Sequence, residues 1–413
     1  VHSWTSPALD PLPASSLPLR LHDSRTGRIA PVAPLTPGTA RLYVCGITPY
    51  DSTHLGHAAT YHAADLMRRA LRDAGLAVEM AQNVTDVDDP LLERARRDGV
   101  DWRELAASQT ALFASDMEAL RIVAPETYRS VSEAMDDIIA LVLALHERGR
   151  AYPVDAEDAA GPDWYLDLSL DGALGDVSGW TEQQMLEVFA ERGGDPDRAG
   201  KRGRFDPLLW RAERAGEPAW DGGVLGRGRP GWHVECVCIA EQSIGLPFDV
   251  QAGGSDLVFP HHDLGAAHAV GLGRPFAASY AHSGMVGYQG EKMSKSLGNL
   301  VFVHRLVRDG VDPMAIRLVL MAHHYRSDWE WTDAELDVAG ERLDRYRAAA
   351  ARGGSAPETV ARLRAALRDD LDTPSALTVL DAWADGTGAD APAEGPGDVP
   401  AALDALFGIA LSR

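Results

Sequence analysis

Cysteine and lysine are both scarce in this sequence. There are three of each in 413 residues: Cys45, Cys236 and Cys238, and Lys201, Lys292 and Lys295. Three cysteines make no disulfide framework, which points to a reduced, cytoplasmic setting. Of the 39 basic residues, 39 − 3 = 36 are arginine. The Ala-, Gly-, Asp- and Arg-heavy composition fits a coding bias that turns Lys into Arg wherever chemistry allows. A lysine that persists then marks a place where a planar guanidinium cannot replace a compact ammonium. Long hydrophobic runs are missing too. The longest, Ile138 to Leu145, is far short of the roughly 20 residues a membrane span needs. The N-terminus has no charged start followed by an apolar block, so no signal peptide is expected. No internal repeat is found. Positive charge is short as well: 61 acidic residues against 39 basic leave a net −22. That balance disfavours a partner held mainly through phosphates, although a local basic patch could survive it.

What remains is ordinary for a globular chain, with 45% apolar and 24% charged residues. The length predicts two or three domains. Residues 1–36 are rich in Pro and turn formers and read as an N-terminal extension wrapped on the surface. Arg41 to Val44 reads as a buried strand. A Gly-punctuated loop follows from Cys45 to His57, then an amphipathic helix over Ala58 to Ala74 and a second strand over Leu76 to Val84. Strand, helix, strand is one parallel unit of an α/β sheet. Residues from about 90 to 150 show helical spacing. The pattern loosens around 160–200, where E-R-G-G-D-P occurs at 191–196, and strand-like sequence resumes near Pro207 to Trp210. A motif-dense block runs from Gly231 to Asn299, and the chain is helical from Trp331 onward. The simplest account is a sheet domain split by an insertion.

Two constellations carry chemistry. The first combines G-W-H-V-E-C (231–236), G-G-S-D-L-V-F-P-H-H (253–262) and the distant Cys45. Thiolate and imidazole suit Zn²⁺, whose catalytic sites use three protein ligands and keep an open position. Cys45, Cys236 and His261 could supply the three, although buried thiols and a structural histidine would explain the same residues. Cys238, two residues from Cys236, does not share its helix face and reads as core. The second is T-H-L-G-H (53–57) with E-K-M-S-K-S (291–296). A loop-to-helix junction offers backbone N–H groups and a positive helix end to phosphate. Gly56 permits close approach, and His54 and His57, three apart, fall on one side of the turn. Alone, this pattern also fits a plain helix cap. The lysine-bearing loop is more telling: Lys292 and Lys295 are two of only three lysines, on a loop flanked by Gly290 and Gly298. Two mobile ammonium groups there form a clamp for a triphosphate whose charge moves during reaction.

Together these motifs resemble the class I aminoacyl-tRNA synthetases: T-H-L-G-H matches the HIGH signature and K-M-S-K-S its partner. The similarity is to the cysteinyl branch. It is carried by Y-V-C-G-I-T-P-Y-D-S-T-H-L-G-H (43–57), N-V-T-D-V-D-D (83–89), G-R-P-G-W-H-V-E-C (228–236), G-G-S-D-L-V-F-P-H-H (253–262) and K-M-S-K-S-L-G-N (292–299), with D-D-L-D-T-P (369–374) extending it. The resemblance implies an α/β protein. A Rossmann-like parallel-sheet catalytic domain (37–125 and 205–290) would be split by a mostly helical insertion (126–204). The K-M-S-K-S loop and connecting fold (291–330) and a short C-terminal helical domain (331–413) would follow. It implies ATP as substrate with Mg²⁺, and one zinc that grips the thiolate of L-cysteine. His54, His57, Lys292 and Lys295 would stabilise the phosphates. Cys45, Gly46, Ile47, Thr48, Thr60, Asn83, Val84, Thr85, Trp232, Gly254, Ser255, Asp256 and Val286 would surround the adenylate, with Trp232 near the cysteine and the Val286 backbone near adenine.

Three features depart from the tRNA-charging branch. Gly265 stands where those enzymes carry a glutamate zinc ligand. Only 413 − 374 = 39 residues follow the D-L-D-T-P motif, and residues 331–413 hold 15 acidic and 8 basic residues, a net of −7, ill suited to a tRNA anticodon stem. The pattern is similar to the mycothiol-pathway cysteine ligases of actinobacteria, in which E-R-G-G-D-P has a counterpart. That similarity implies ligation of cysteine to the amine of glucosaminyl-inositol through a cysteinyl-adenylate. Neither tRNA nor membrane would be a partner, and a monomer would suffice. Cysteinyl-tRNA synthetase, and a non-catalytic synthetase-like binding protein, are the competing readings.

Overall fold

The computed structural model describes residues 1–9, 12–15, 17–50, 53–170, 174–293, 299–387 and 397–412. Lys295 lies outside the described residues, and Lys292 enters only through the backbone pairing of its strand, Glu291–Lys292.

A five-stranded parallel sheet forms the centre: β1 (Thr39–Val44), β2 (Ala77–Val84), β3 (Thr127–Ser130), β4 (Phe248–Gly254) and β5 (Ala277–Ser283). The spatial order is β3-β2-β1-β4-β5 and every pairing is parallel. This is the strand order of the doubly wound nucleotide-binding folds, which reverses direction between β1 and β4. The strands are apolar because both faces are covered, and β4 is buried along its whole length. Helix α1 (Leu55–Asp73) crosses from β1 to β2, α2 (Trp232–Ile244) precedes β4, and α3 (Asp263–Gly271) leads into β5. Side chains alternate along β1 with a period of two. Leu42 and Val44 therefore join the core containing α1, whereas Tyr43 and Cys45 join the core containing α2. That alternation sends the Cys45 thiol toward Cys236.

The α/β class and its parallel sheet match the sequence expectation. Three details differ from it. Thr127–Ser130 is a strand inside a stretch read as helical. It is only four residues long, with an alternating burial that a helical window masks. The intervening segment does hold helices (Met135–Glu147 and Glu182–Phe189). They share it with an antiparallel sheet ordered Ala151–Val154, Asp163–Leu166, Leu208–Ala212, Arg227–Pro230, Trp220–Asp221. The strand-like sequence near Trp210 is the middle of this sheet. Finally, residues 1–36 reach inward: Trp4 is buried against Phe113 and Tyr128, at 5.6 and 5.7 Å between ring centres.

The chain after the catalytic sheet is helical as expected, with helices at Pro313–Ala322, Ala334–Arg352, Pro357–Arg368, Thr373–Ala384 and Val399–Phe407. Their apolar faces merge with the core beneath α1. Among the described residues no helix is long and apolar enough to cross a membrane.

Candidate active site

Parallel sheets of this order bind ligands outside the carboxyl ends of their strands, at the point where the order reverses. Here that point lies between the ends of β1 and β4. A cavity of about 500 Å³ opens there, lined by Cys45, Gly46, Thr48, His54, His57, Thr60, Trp232, Gly254, Asp256 and Val286 among others. With Gly56, eleven of the residues singled out from sequence thus line one cavity. The cavity also takes Tyr50, Tyr61, Leu257, Gly284, Met285 and Met293, which sequence reasoning did not select.

The H-L-G-H segment forms the beginning of α1 itself, three residues earlier than the sequence pattern suggested. His54 is the N-cap and makes no side-chain cap, and the first turn carries no acidic residue. The positive helix end is therefore not offset locally. His54 and His57 stack at 3.9 Å between ring centres. The segment is tied to the chain that follows K-M-S-K-S: the Leu55 N–H donates to the Val301 carbonyl (2.9 Å) and the Val303 N–H to the Thr53 carbonyl (3.2 Å). The start of α1 is thereby held against residues 301–303. Farther along α1, Thr60 Oγ1 lies 2.8 Å from Ser283 Oγ.

Asn83, Val84, Thr85 and Ile47 are buried and stand behind the cavity. Ser255 also lies off its lining. Asn83 Oδ1 accepts from the Gly46 N–H (2.8 Å) and from the Tyr43 hydroxyl (3.1 Å), and its Nδ2 donates to Thr85 Oγ1 (2.9 Å). The Thr85 N–H donates to the Ile47 carbonyl (2.9 Å). These residues brace the loop after β1. The brace also explains Gly46: a Cβ there would lie 1.6 Å from the Asn83 carbonyl oxygen.

At the buried end of the site, ligand atoms of Cys45, Cys236 and His261 all lie within 4.8 Å of one another. Cys45 comes from the end of β1, Cys236 from α2 and His261 from the segment Val258–His262 before α3. The Cys236 thiol is held well above the ordinary cysteine range, first by its hydrogen bond with Cys45 and then by burial. Two thiols facing an imidazole at this spacing make a soft donor set that fits a thiophilic metal. Gly265 supplies no fourth donor; a Cβ there would meet the Phe276 ring at 3.4 Å. Trp232 stacks on His261 at 4.5 Å.

A layer that the sequence did not reveal supports these groups. The Cys45 sulfur lies 3.3 Å from His262 Nε2 and accepts from Gln251 Nε2 at 3.3 Å. His262 Nδ1 meets His282 Nε2 (2.7 Å), whose Nδ1 meets Ser24 Oγ (2.7 Å). Burial pushes His262 well down and His282 to about 3, so both rings are neutral at pH 7. Only the H-H pair hinted at this relay.

Comparison with known proteins places the chain. Residues 31–341 match the family described as tRNA synthetases class I (C) catalytic domain. A Brachybacterium faecium protein named L-cysteine:1D-myo-inositol 2-amino-2-deoxy-alpha-D-glucopyranoside ligase is 84% identical over 100% of both chains. A Sanguibacter keddieii protein of the same name is 56% identical over 99% of this chain and 100% of its own. Among solved structures, Mycobacterium tuberculosis methionyl-tRNA synthetase in complex with methionyl-adenylate superposes with a TM-score of 0.60. It has 16% identity and covers 84% of this chain and 81% of that one, a likeness of fold.

Proposed function

We infer the chemistry of this site from the family: the chain belongs to the class I (C) tRNA synthetase catalytic domains and, within them, to the L-cysteine:1D-myo-inositol 2-amino-2-deoxy-alpha-D-glucopyranoside ligases. It is an ATP-using ligase that joins L-cysteine to the amine of glucosaminyl-inositol. The observation that carries the mechanism is the cavity at the β1–β4 reversal with a thiol, thiol, imidazole group at its buried end.

Two half-reactions follow from that arrangement. In the first, the cysteine carboxylate attacks the α-phosphorus of ATP in line and pyrophosphate leaves. His54 and His57 at the start of α1, with Lys292 and Lys295, balance the charge that moves onto the leaving phosphates, and Mg²⁺ assists. Thr60, Gly254, Asp256 and the Val286 backbone hold the adenylate. Gly46, Ile47 and Thr48 shape the near wall, with Asn83, Val84, Thr85 and Ser255 behind it. Cys45, Cys236 and His261 hold zinc, which when bound supplies a soft Lewis acid for the substrate thiolate and so prefers cysteine to serine. Trp232, stacked on His261, restricts the ring and closes the cysteine side of the cavity. In the second half-reaction the neutral sugar amine attacks the mixed anhydride and AMP leaves.

The test incubates the protein with ATP and cysteine and follows pyrophosphate exchange, then adds glucosaminyl-inositol or tRNA separately. Cysteine-dependent exchange, with AMP and a thiol product formed only with the sugar, is the expected result. Charging of tRNA, or no exchange, would overturn the reading.

A further inference from the structure

A second cavity, of about 890 Å³, adjoins the first and shares Thr48, Tyr50, Trp232, Asp256 and Leu257 with it. Its far wall comes from elements the adenylate side does not use. One is the segment Glu191 to Asp195, from the E-R-G-G-D-P string. The other is the start of the helix Asp89–Asp98, capped by Asp88. Eight carboxylates and four guanidiniums line this space, so its field favours a cation. Four of the eight carboxylates are already engaged. Asp163 pairs with Arg214 (2.9 Å), Asp195 with Lys201 (2.8 Å) and Asp89 with Arg229, while Asp206 accepts from the Tyr152 hydroxyl (2.6 Å). Asp88 is different. One of its oxygens takes the Asp89 N–H at 2.8 Å, and among the described residues no cationic side chain pairs with it.

We propose that this second cavity is the acceptor site: it takes a cationic aminosugar bearing a polyol, and the Asp88 carboxylate receives the ammonium and takes the proton that blocks its attack. The assignment rests on the ligase reading above and places the acceptor amine across the shared rim from the adenylate. The polyol lies along Glu191–Asp195. There Gly193 turns the backbone with φ near +87°, and Arg192 Nη1 anchors the segment by donating to the Asp256 carbonyl at 2.9 Å. The reaction balances as follows. The ammonium gives one proton to Asp88, and the freed nitrogen pair forms the C–N bond to the cysteinyl carbonyl carbon. The C–O bond to phosphate breaks with its electron pair on AMP, and the nitrogen's second proton passes to water.

The environment of Asp88 suits that task. Burial raises its titration to about 6. Its backbone hydrogen bond, Arg229 and His261 pull the other way, Asp89 adds to the rise, and Glu235 of α2 also faces it. A base poised near the working pH transfers protons most effectively.

The experiment compares wild type with Asp88→Asn in two assays: cysteine-dependent ATP–pyrophosphate exchange, and AMP formation with glucosaminyl-inositol. Exchange should stay within about twofold while ligation falls about 100-fold or more, the usual scale for a lost general base, and the acid limb near pH 6 disappears. Ligation at the wild-type rate would overturn the proposal. So would a parallel loss of exchange, which would assign Asp88 to the fold or to adenylation. Glu191→Gln should raise the KM for glucosaminyl-inositol with kcat retained; an unchanged KM removes that wall from the site. Absence of exchange in the wild type would instead defeat the ligase reading. Calorimetric binding of glucosaminyl-inositol to wild type and Asp88→Asn would then judge the cavity separately, with equal binding counting against it.

Discussion

Cys45 and Cys236 place their sulfur atoms together in a buried pocket where neither thiolate would be hydrated and each would repel the other. His261 completes a soft donor set, and neutral His262 and Gln251 fix the Cys45 sulfur from behind. Metal sites lose affinity steeply when a ligand is replaced by a weaker donor, because thiolate is the soft partner that zinc selects. Cys236→Ser should therefore lower the bound metal measured on the purified protein to about a tenth of wild type or less, and raise the KM for cysteine in pyrophosphate exchange about tenfold or more. It should also narrow the preference for cysteine over serine. Full metal content with an unchanged KM would remove Cys236 from the ligand set.

At the scale of elements, α1 is the hub that joins the sheet to the C-terminal helices, and its joint is ionic. Asp65 is fully buried with Arg69 (2.8 Å) and Arg317, and it also accepts the Val123 N–H at 3.0 Å. Arg69 and Arg317 reach on to the carbonyls of Asp404 and Phe407 in the last helix. Burial alone would raise the Asp65 carboxyl, but the two guanidiniums outweigh it and hold it well below the ordinary range. Breaking one side of such a buried network costs about 3–5 kcal/mol, because the charges left behind stay desolvated. Asp65→Asn should lose stability on that scale in urea unfolding at pH 7. Since the folded carboxyl is depressed, its contribution is present above the ordinary Asp range and is lost only as pH falls toward the folded value. The gap between wild type and variant should therefore narrow in acid, and a gap unchanged down to strongly acidic pH would contradict the assignment.

The same elements show what the sequence makes legible. β1, β2 and α1 are readable because each carries a long one-period pattern, and the meeting of Cys45 with Cys236 because cysteine is so rare. The joint on α1 was invisible: Asp65, Arg69 and Arg317 are ordinary charged letters until the fold buries them. The antiparallel sheet was missed because its strands run two to five residues, too short for a period to declare itself. Asn83 and Thr85 are expected near the site by likeness, yet their place as a brace behind Gly46 depends on the neighbouring strand and has no local signature.

For the whole molecule, the arrangement is two cavities sharing a rim. The sheet that builds one and the inserted segment that walls the other are stitched together at Arg192. Its Nη1 donates to the carbonyls of Asp256 and Phe259, in the chain between β4 and His261. The contact is backbone-directed, so it positions Asp256, which lines both cavities. A hydrogen bond from a charged donor is worth about 1.5–3 kcal/mol, roughly a ten- to hundredfold effect. Arg192→Ala should therefore weaken both steps together, raising the KM for cysteine in exchange and the KM for glucosaminyl-inositol in ligation, while kcat for exchange changes much less. That signature differs from the one expected of Asp88→Asn, which spares exchange and slows ligation. If Arg192→Ala altered the sugar KM alone, the two cavities would be mechanically independent, and the inserted segment would be a separate acceptor module without a shared wall.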